Sequence, residues 1–346
     1  MIQDVEIENF RCFAKFRHGG FSRVNLIVGK NNSGKTALLE ALEAVASGSS
    51  AYAFYRASFD RGEVRVAHAP NEYAVDARRW FHGQELQANS KLSIRANSNR
   101  LWLIVEVVDQ LAGQPQTGKL WLQRSSHHTR AIAQMSLPIA RNTFLGVGDP
   151  SDFLAFGETL SQPVVFRSTR RTTLADLGPA WAKIVLTPEE DEVVRALQIL
   201  EPRAQRMAIT GSNGDATAQV RLKDESQPVP LATMGEGMTR MLSLAVALVT
   251  ARGGYLFIDE IESGLHHSVH LDLWRFVVQT ARRLEVQVFA TTHSKDCLSA
   301  IARLHETAAE SAADVTVHRL EAKRPTAVRM DADVIEKTLE ADIEVR

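Results

Sequence analysis

Gly29-Lys30-Asn31-Asn32-Ser33-Gly34-Lys35-Thr36 follows the apolar run Val24-Asn25-Leu26-Ile27-Val28. It precedes a stretch with Leu38, Leu39, Leu42 and Val45 at helical spacing and Gly48 as a stop. The order is buried strand, glycine-bounded polar loop, helix. The octet reads G-x-x-x-x-G-K-T. Its glycines let the backbone curl so that successive N–H groups point into one concavity. The helix N-terminus adds free donors and the positive end of its dipole. A phosphate chain needs this arrangement. Lys35 would reach the β- and γ-phosphates, and the Thr36 hydroxyl would ligate Mg²⁺. The octet therefore predicts a nucleotide site, with the phosphates held by Gly29, Asn31, Asn32, Ser33, Gly34, Lys35 and Thr36 in an α/β fold.

Three further motifs follow along the chain. Tyr255-Leu256-Phe257-Ile258-Asp259-Glu260 is an apolar strand ending in two carboxylates. A parallel strand beside the P-loop strand would bring Asp259 to the metal. Glu260 would lie one residue further, placed to orient or polarise the attacking water. Ala232-Thr233-Met234-Gly235-Glu236-Gly237-Met238-Thr239-Arg240 opens an apolar helix. Gly235, Glu236 and Gly237 form a second candidate anion nest. One nucleotide does not need two such nests, so this one is expected to face a nucleotide held by another subunit. Finally, Ala290-Thr291-Thr292-His293-Ser294 closes a buried strand, where His293 can hydrogen-bond a γ-phosphate and sense its loss.

The series of P-loop, glycine nest, acid pair and histidine resembles the ABC-type ATPase head shared by RecF and SMC proteins and by the OLD family. The OLD-like branch of AAA-family ATPases is the nearest likeness. It is carried by Gly235 to Arg240, by Asp259-Glu260-Ile261-Glu262-Ser263-Gly264-Leu265-His266, and by Thr291 to Ser294. Ile7-Glu8-Asn9-Phe10-Arg11 resembles the family's opening strand, and Glu344-Val345-Arg346 its usual ending. The resemblance implies that Gly29–Thr36 is Walker A and Met234–Met238 the signature. It makes Asp259 and Glu260 Walker B with the catalytic Glu, Ser263–His266 the D-loop, and His293 the switch histidine. It also implies an ATP sandwich between two copies. The sequence departs from transporter-like heads in reading MGEGM at the signature. Gln84, in a Trp-Phe-His-Gly-Gln stretch, is a candidate Q-loop residue.

Composition sets the remaining bounds. The chain has 346 residues, with 40 Lys and Arg against 41 Asp and Glu, a net charge of −1. Such neutrality excludes a chain that is basic throughout, though not a local basic patch. Cys12 and Cys297 are the two cysteines, too few for a disulfide scaffold and in keeping with a reducing cytoplasm. They read as small core residues. No segment has the roughly 18 apolar residues of a membrane span, and the start has no apolar signal core. The paired histidines His127-His128 and His266-His267 point apart on any regular element, so no shared metal is expected. The five tryptophans read as core. Arg167, Arg170, Arg171, Arg203 and Arg206 read as solvated surface arginines, with DNA phosphate contact as the alternative.

Periodicity predicts one compact α/β unit with an inserted subdomain, and the resemblance makes it one ATPase head over 1–346, with core parts at about 1–48 and 205–346. The core sheet is expected to be mixed or parallel, and 49–204 an inserted helical and β lobe. A capping box at Thr187-Pro188-Glu189-Glu190 predicts a helix through Leu200. Hairpins are expected about Gly113–Gly118 and Asn213-Gly214. Roughly 50 residues follow His293, too few for a nuclease of ordinary domain size. By the resemblance, a TOPRIM-type nuclease effector would then be a separate partner, in DNA processing or anti-phage defence. A RecF-like DNA-binding repair ATPase and a slow ATP-sensing scaffold are the alternatives. A transporter subunit fits worst, because roughly 200 residues separate Walker A from the signature, room for a domain-sized insertion.

Overall fold

The computed structural model describes residues 1–47, 51–66, 73–84, 89–97, 99–109, 116–124, 128–137, 145–147, 162–170, 172–211, 216–308, 313–331, 334–335 and 337–338. Within 99–147 the description is of strand paths and pairing. The strands are β1 (Asp4–Phe10), β2 (Phe13–Gly19), β3 (Val24–Val28), β4 (Val64–Val66), β5 (Tyr73–Val75), β6 (Lys91–Ala96), β7 (Asn99–Asp109), β8 (Gln116–Arg124), β9 (His128–Leu137) and β10 (Leu145–Val147). Then come β11 (Val164–Arg167), β12 (Ala204–Thr210), β13 (Thr217–Leu222), β14 (Val229–Pro230), β15 (Tyr255–Ile258), β16 (Gln287–Thr291), β17 (Val315–Arg319) and β18 (Val328–Met330). The α-helices are α1 (Lys35–Ala46), α2 (Ala51–Asp60), α3 (Leu174–Ile184), α4 (Glu190–Gln198), α5 (Glu236–Thr250), α6 (His270–Arg283) and α7 (Lys295–Thr307).

The central sheet has the order β11-β15-β16-β3-β17-β18. Its first five strands are parallel, and β18 closes the edge antiparallel to β17. Strands covered on both faces should be apolar throughout. All five residues of β3 and all five of β16 are buried. Successive side chains then serve opposite faces. Leu26, Leu256, Ile258, Val288 and Val317 pack into one core with α3 to α7. Ile27, Phe257 and Phe289 pack into the other, with α1 and the first strands. Phe257 and Phe289 stack there at 5.5 Å between centroids. The second core lies under an antiparallel sheet, β2-β1-β6-β7-β8-β9.

Several expectations change. The strand beside β3 is β16, not the acid-bearing β15, which lies one strand further out. The segment 49–204 is not one separate lobe. Its strands β6 to β9 extend the sheet begun by β1, and its β11 is an edge strand of the central sheet. Its helices α3 and α4 contribute Leu177, Trp181, Val193 and Leu197 to the main core. Chain order hides this, because sheet neighbours are set by apolar face matching across long sequence gaps.

The box at Thr187 does not form either. Thr187 Oγ1 donates to the Ile184 carbonyl, and Glu190 accepts the Leu186 N–H. The helix starts at Glu190 with no side-chain cap. A full capping box instead joins Thr173 and Asp176 at the start of α3, in a stretch without readable period. Both predicted hairpins have their strands paired antiparallel, β7 with β8 and β12 with β13. The turn residues 110–115 and 212–215 lie outside the described residues, as do His127, Arg171 and the ending 344–346. Among the described residues no helix is long and apolar enough to cross a membrane.

Candidate ATP site

Because β3, β15 and β16 are parallel, their carboxyl ends open at one edge of the sheet. Open α/β sheets place ligands at this edge. The P-loop leaves β3 there, the acid pair leaves β15, and His293 lies just past β16.

The loop itself depends on glycine at two points. Gly34, the N-cap of α1, has φ +102° and no side-chain cap, so its helix presents free N–H donors. A Cβ at Gly34 would lie 2.8 Å from Cys12 Sγ, and one at Gly29 would lie 2.3 Å from the Leu320 carbonyl oxygen. Cys12 is thus an exposed residue whose thiol abuts the P-loop, not a core cysteine. Cys297 is buried as expected. Asn32 has φ +62°, a conformation Asn tolerates. The Ser33 hydroxyl is buried with no hydrogen-bond partner.

Lys35 Nζ donates to the carbonyls of Gly29 and Lys30, at 2.7 and 3.1 Å. Burial pushes its pKa below the ordinary lysine value, while Asp259, Glu260 and Glu262 pull it back. The carbonyl contacts hold the ammonium over the loop, where an incoming phosphate offers a stronger, charged acceptor.

Thr36 Oγ1 donates to Asp259 Oδ2 at 3.0 Å. Thr291 Oγ1 donates to Asp259 Oδ1 at 2.6 Å and accepts the Glu260 N–H at 2.9 Å. Thr291 on β16 therefore bridges the gap left by the unexpected strand order. Thr36 and Asp259 form a pair of hard oxygen donors of the kind Mg²⁺ takes. Among the described residues no group of three or more His, Cys, Asp or Glu could cage a metal alone. The donor set fits Mg²⁺.

Glu260 has φ +53°, a strained region for a residue other than glycine, and this turns its side chain out of the strand line. His293 Nδ1 lies 3.4 Å from Glu260 Oε1 and 3.6 Å from Glu262 Oε1. Glu262 was not among the expected site residues. Its only sequence signal is a third acid within four positions of Asp259.

The nest at Gly235 and Gly237 opens α5. Gly235 has φ +92°, is exposed and gives its helix no side-chain cap. A Cβ there would meet nothing within 4 Å, whereas one at Gly237 would lie 3.4 Å from the Gly264 carbonyl oxygen. Glu236 is exposed beside them. Gln84 donates its backbone N–H to the Phe81 carbonyl, in a segment that neighbours Arg11 just past β1.

The arginines divide. Arg203 pairs with Glu201 and Glu225, Arg206 with Glu190, and Arg170 with Asp60, all three exposed by half or more. Arg167 differs. It ends β11 beside the acid pair, its carbonyl accepts the Asp259 N–H at 2.8 Å, and its Nε is buried without a partner. Burial and the nearby Arg240 both push its pKa down. The surface reading of Arg167 fails because β11 joins the central sheet. Trp80, Trp181 and Trp274 are core, as expected.

Comparison with known proteins follows this geometry. The family described as AAA ATPase domain matches residues 1–106, which carry the P-loop. The family described as AAA domain, putative AbiEii toxin, Type IV TA system matches residues 191–298, which carry the nest, the acid pair and His293. A Helicobacter pylori protein named ATP/GTP phosphatase is 22% identical over 326 residues, covering 86% of each chain. Among solved structures, an Smc head from Pyrococcus furiosus with the C-terminal domain of ScpA has TM-score 0.48 at 11% identity, covering 99% of each chain. The SMC head domain from Thermotoga maritima has TM-score 0.41 at 12% identity, covering 95% of this chain and 98% of that one. These structural likenesses are too loose to bear on chemistry. The two ATPase matches fall on the two segments that the fold brings together at one sheet edge. Residues 1–106 and 191–298 are thus similar to AAA-type ATPase domains, and the chain is an enzyme that hydrolyses ATP.

Proposed function

We propose that this ATPase closes as a homodimer around ATP and acts as a nucleotide-driven switch on a separate effector. The observation that carries the reading is the uncapped nest that opens α5, with Gly235 and Glu236 exposed. An anion-seeking helix start that faces solvent suits the γ-phosphate of a nucleotide on a second copy.

In this reading the P-loop N–H groups of Gly29 to Thr36 hold the phosphates and Lys35 leaves its carbonyl partners to meet them. Thr36 and Asp259 hold Mg²⁺, which when bound would offset charge on the β- and γ-phosphate oxygens. Glu260 accepts a proton from the attacking water and orients it. His293, beside Glu260, donates to the γ-phosphate and registers its departure. Gly235, Glu236 and Gly237 cap the nucleotide of the other subunit. Loss of the γ-phosphate removes that cap's ligand, so the dimer loosens.

The OLD-like motif series supports an effector of the TOPRIM nuclease type, in anti-phage defence or DNA processing, in the cytoplasm. The toxin and type IV TA wording of the family matching 191–298 is in keeping with a defence role. A RecF-like DNA repair role would need a basic surface. The exposed Arg170, Arg203 and Arg206 are instead each paired with carboxylates.

The test is sedimentation of a Glu260→Gln protein with and without ATP. Dimer is expected only with ATP; a protein that stays monomeric at saturating ATP overturns the sandwich.

A further inference from the structure

Glu262 lies in the same turn as Glu260, but its surroundings differ. The Glu260 side chain is 38% exposed and that of Glu262 is 9% exposed. A buried carboxylate is retained against a large desolvation penalty and needs partners. Glu262 Oε1 accepts the backbone N–H of His293 at 3.3 Å. This is the sole described bond that holds the main chain of His293 to the acid turn. The imidazole then stands between two carboxylates, with Nδ1 3.4 Å from Glu260 Oε1 and 3.6 Å from Glu262 Oε1. The second oxygen of Glu262, Oε2, is buried and has no partner. It is thus open to receive the ring N–H after a small rotation.

We propose that Glu262 is a positioning residue for ATP hydrolysis. It pins the loop after β16 so that the His293 ring faces Glu260. It also offers that ring a second acceptor, leaving the exposed Glu260 free for water. Glu260, with the more exposed side chain of the two acids, is the one placed to meet water as the base. Arg240 on α5 lies within reach of the same acids, and its Nη2 is likewise buried without a partner. The signature helix is therefore electrically linked to Glu262, though not bonded to it. The inference rests on the reading of Glu260 and His293 given above.

The experiment compares wild type, Glu262→Ala, Glu262→Gln, His293→Ala and the double variant Glu262→Ala with His293→Ala. Steady-state turnover, ATP affinity by calorimetry and thermal unfolding are measured for each. Glu262→Ala is expected to lower kcat on the order of tenfold or more, the scale on which supporting partners of a functional group act. ATP affinity should change little. Glu262→Gln keeps an acceptor for the His293 N–H and should recover most of the rate. The double variant should be no slower than His293→Ala alone, because both remove one function. NMR of isotope-labelled histidine should show the His293 ring signal displaced in Glu262→Ala without nucleotide.

Multiplicative losses in the double variant, or an unmoved His293 signal, overturn the proposal. So does an ATP affinity that falls in step with kcat. If Glu262→Ala unfolds, the Glu262→Gln protein and its coupling to His293→Ala decide instead: a full-rate loss in Glu262→Gln, multiplied by His293→Ala, overturns it. If His293→Ala leaves kcat unchanged, the reading of His293 has failed. If His293→Ala is slow and Glu262→Ala is not, only the present inference has.

Discussion

Thr36 and Asp259, 223 residues apart in the chain, meet through a hydrogen bond of 3.0 Å at the edge of the central sheet. The bond joins the first residues of α1 to the end of β15, across the intervening β16. Thr291 on β16 completes it from the other side, donating to Asp259 at 2.6 Å. Removing Thr291 should therefore loosen both acids. In Thr291→Val the Glu260 N–H and Asp259 Oδ1 each lose a partner. Turnover is expected to fall while ATP still binds, and calorimetry beside a turnover assay checks the split.

Lys35→Ala removes the ammonium that donates to the loop carbonyls of Gly29 and Lys30. A hydrogen bond to a charged group contributes about 1.5–3 kcal/mol, so ATP affinity should fall roughly 10- to 100-fold. Calorimetric titration measures it; unchanged affinity would remove Lys35 from the site.

Glu260→Gln keeps the shape and loses the base. A positioned general base is worth roughly 10²- to 10⁴-fold, so kcat should fall within that range with ATP affinity retained. Single-turnover hydrolysis reads the chemical step directly. A loss below tenfold would mean that another group takes the proton.

Complementation tests whether the nest works on the other subunit. Lys35→Ala and Gly237→Glu should each be inactive alone. Mixed, they form a dimer with one intact composite site, in which the P-loop of one variant meets the nest of the other. Activity should return on mixing. If each nest served its own P-loop, no mixture would recover.

Gly34→Ala tests the loop geometry. The new Cβ would stand 2.8 Å from Cys12 Sγ, at φ +102°. Strain of this kind costs about 1–3 kcal/mol. The thermal midpoint and ATP affinity should both drop. Adding Cys12→Ala should relieve the steric part and leave the dihedral part.

Stability should fall in mild acid. His18 Nε2 and His318 Nδ1 are 2.8 Å apart in the core, and both are held below the ordinary histidine value by burial. His318 is pushed down to about 3. The folded protein thus keeps it neutral, whereas the unfolded chain protonates it below about pH 6.5. Its contribution is complete above about pH 6.5 and is lost as pH falls toward 3, at up to about 1.4 kcal/mol per pH unit. Denaturant melts between pH 7 and pH 4 should show the slope, and His318→Gln should flatten it.

The motifs of the candidate site could be picked out without a structure. The P-loop octet, the acid pair and His293 are local motifs, each carrying its own chemistry in a few adjacent residues. Their apolar strands and helix starts are also local, which is why β3, β15, β16 and α5 lie where periodicity places them. Glu262 and Thr291 were not legible as neighbours of the candidate site. Their roles arise from contacts between strand ends, and an acid or a hydroxyl at a strand end has no local mark of its partner. Arg167 was misread for the same reason: four residues of β11 carry too little pattern to show that they join the central sheet.

The amino-acid sequence by itself determined the candidate nucleotide site, because phosphate binding needs a glycine-bounded loop and a lysine in fixed local order. Tertiary structure alone decided the strand order that puts β16 between the P-loop and the acids. It likewise decided the dispersal of 49–204 into two sheets and the exposure of the Gly235–Gly237 nest. Each depends on which apolar faces match across long gaps, a global competition that no short stretch of chain records.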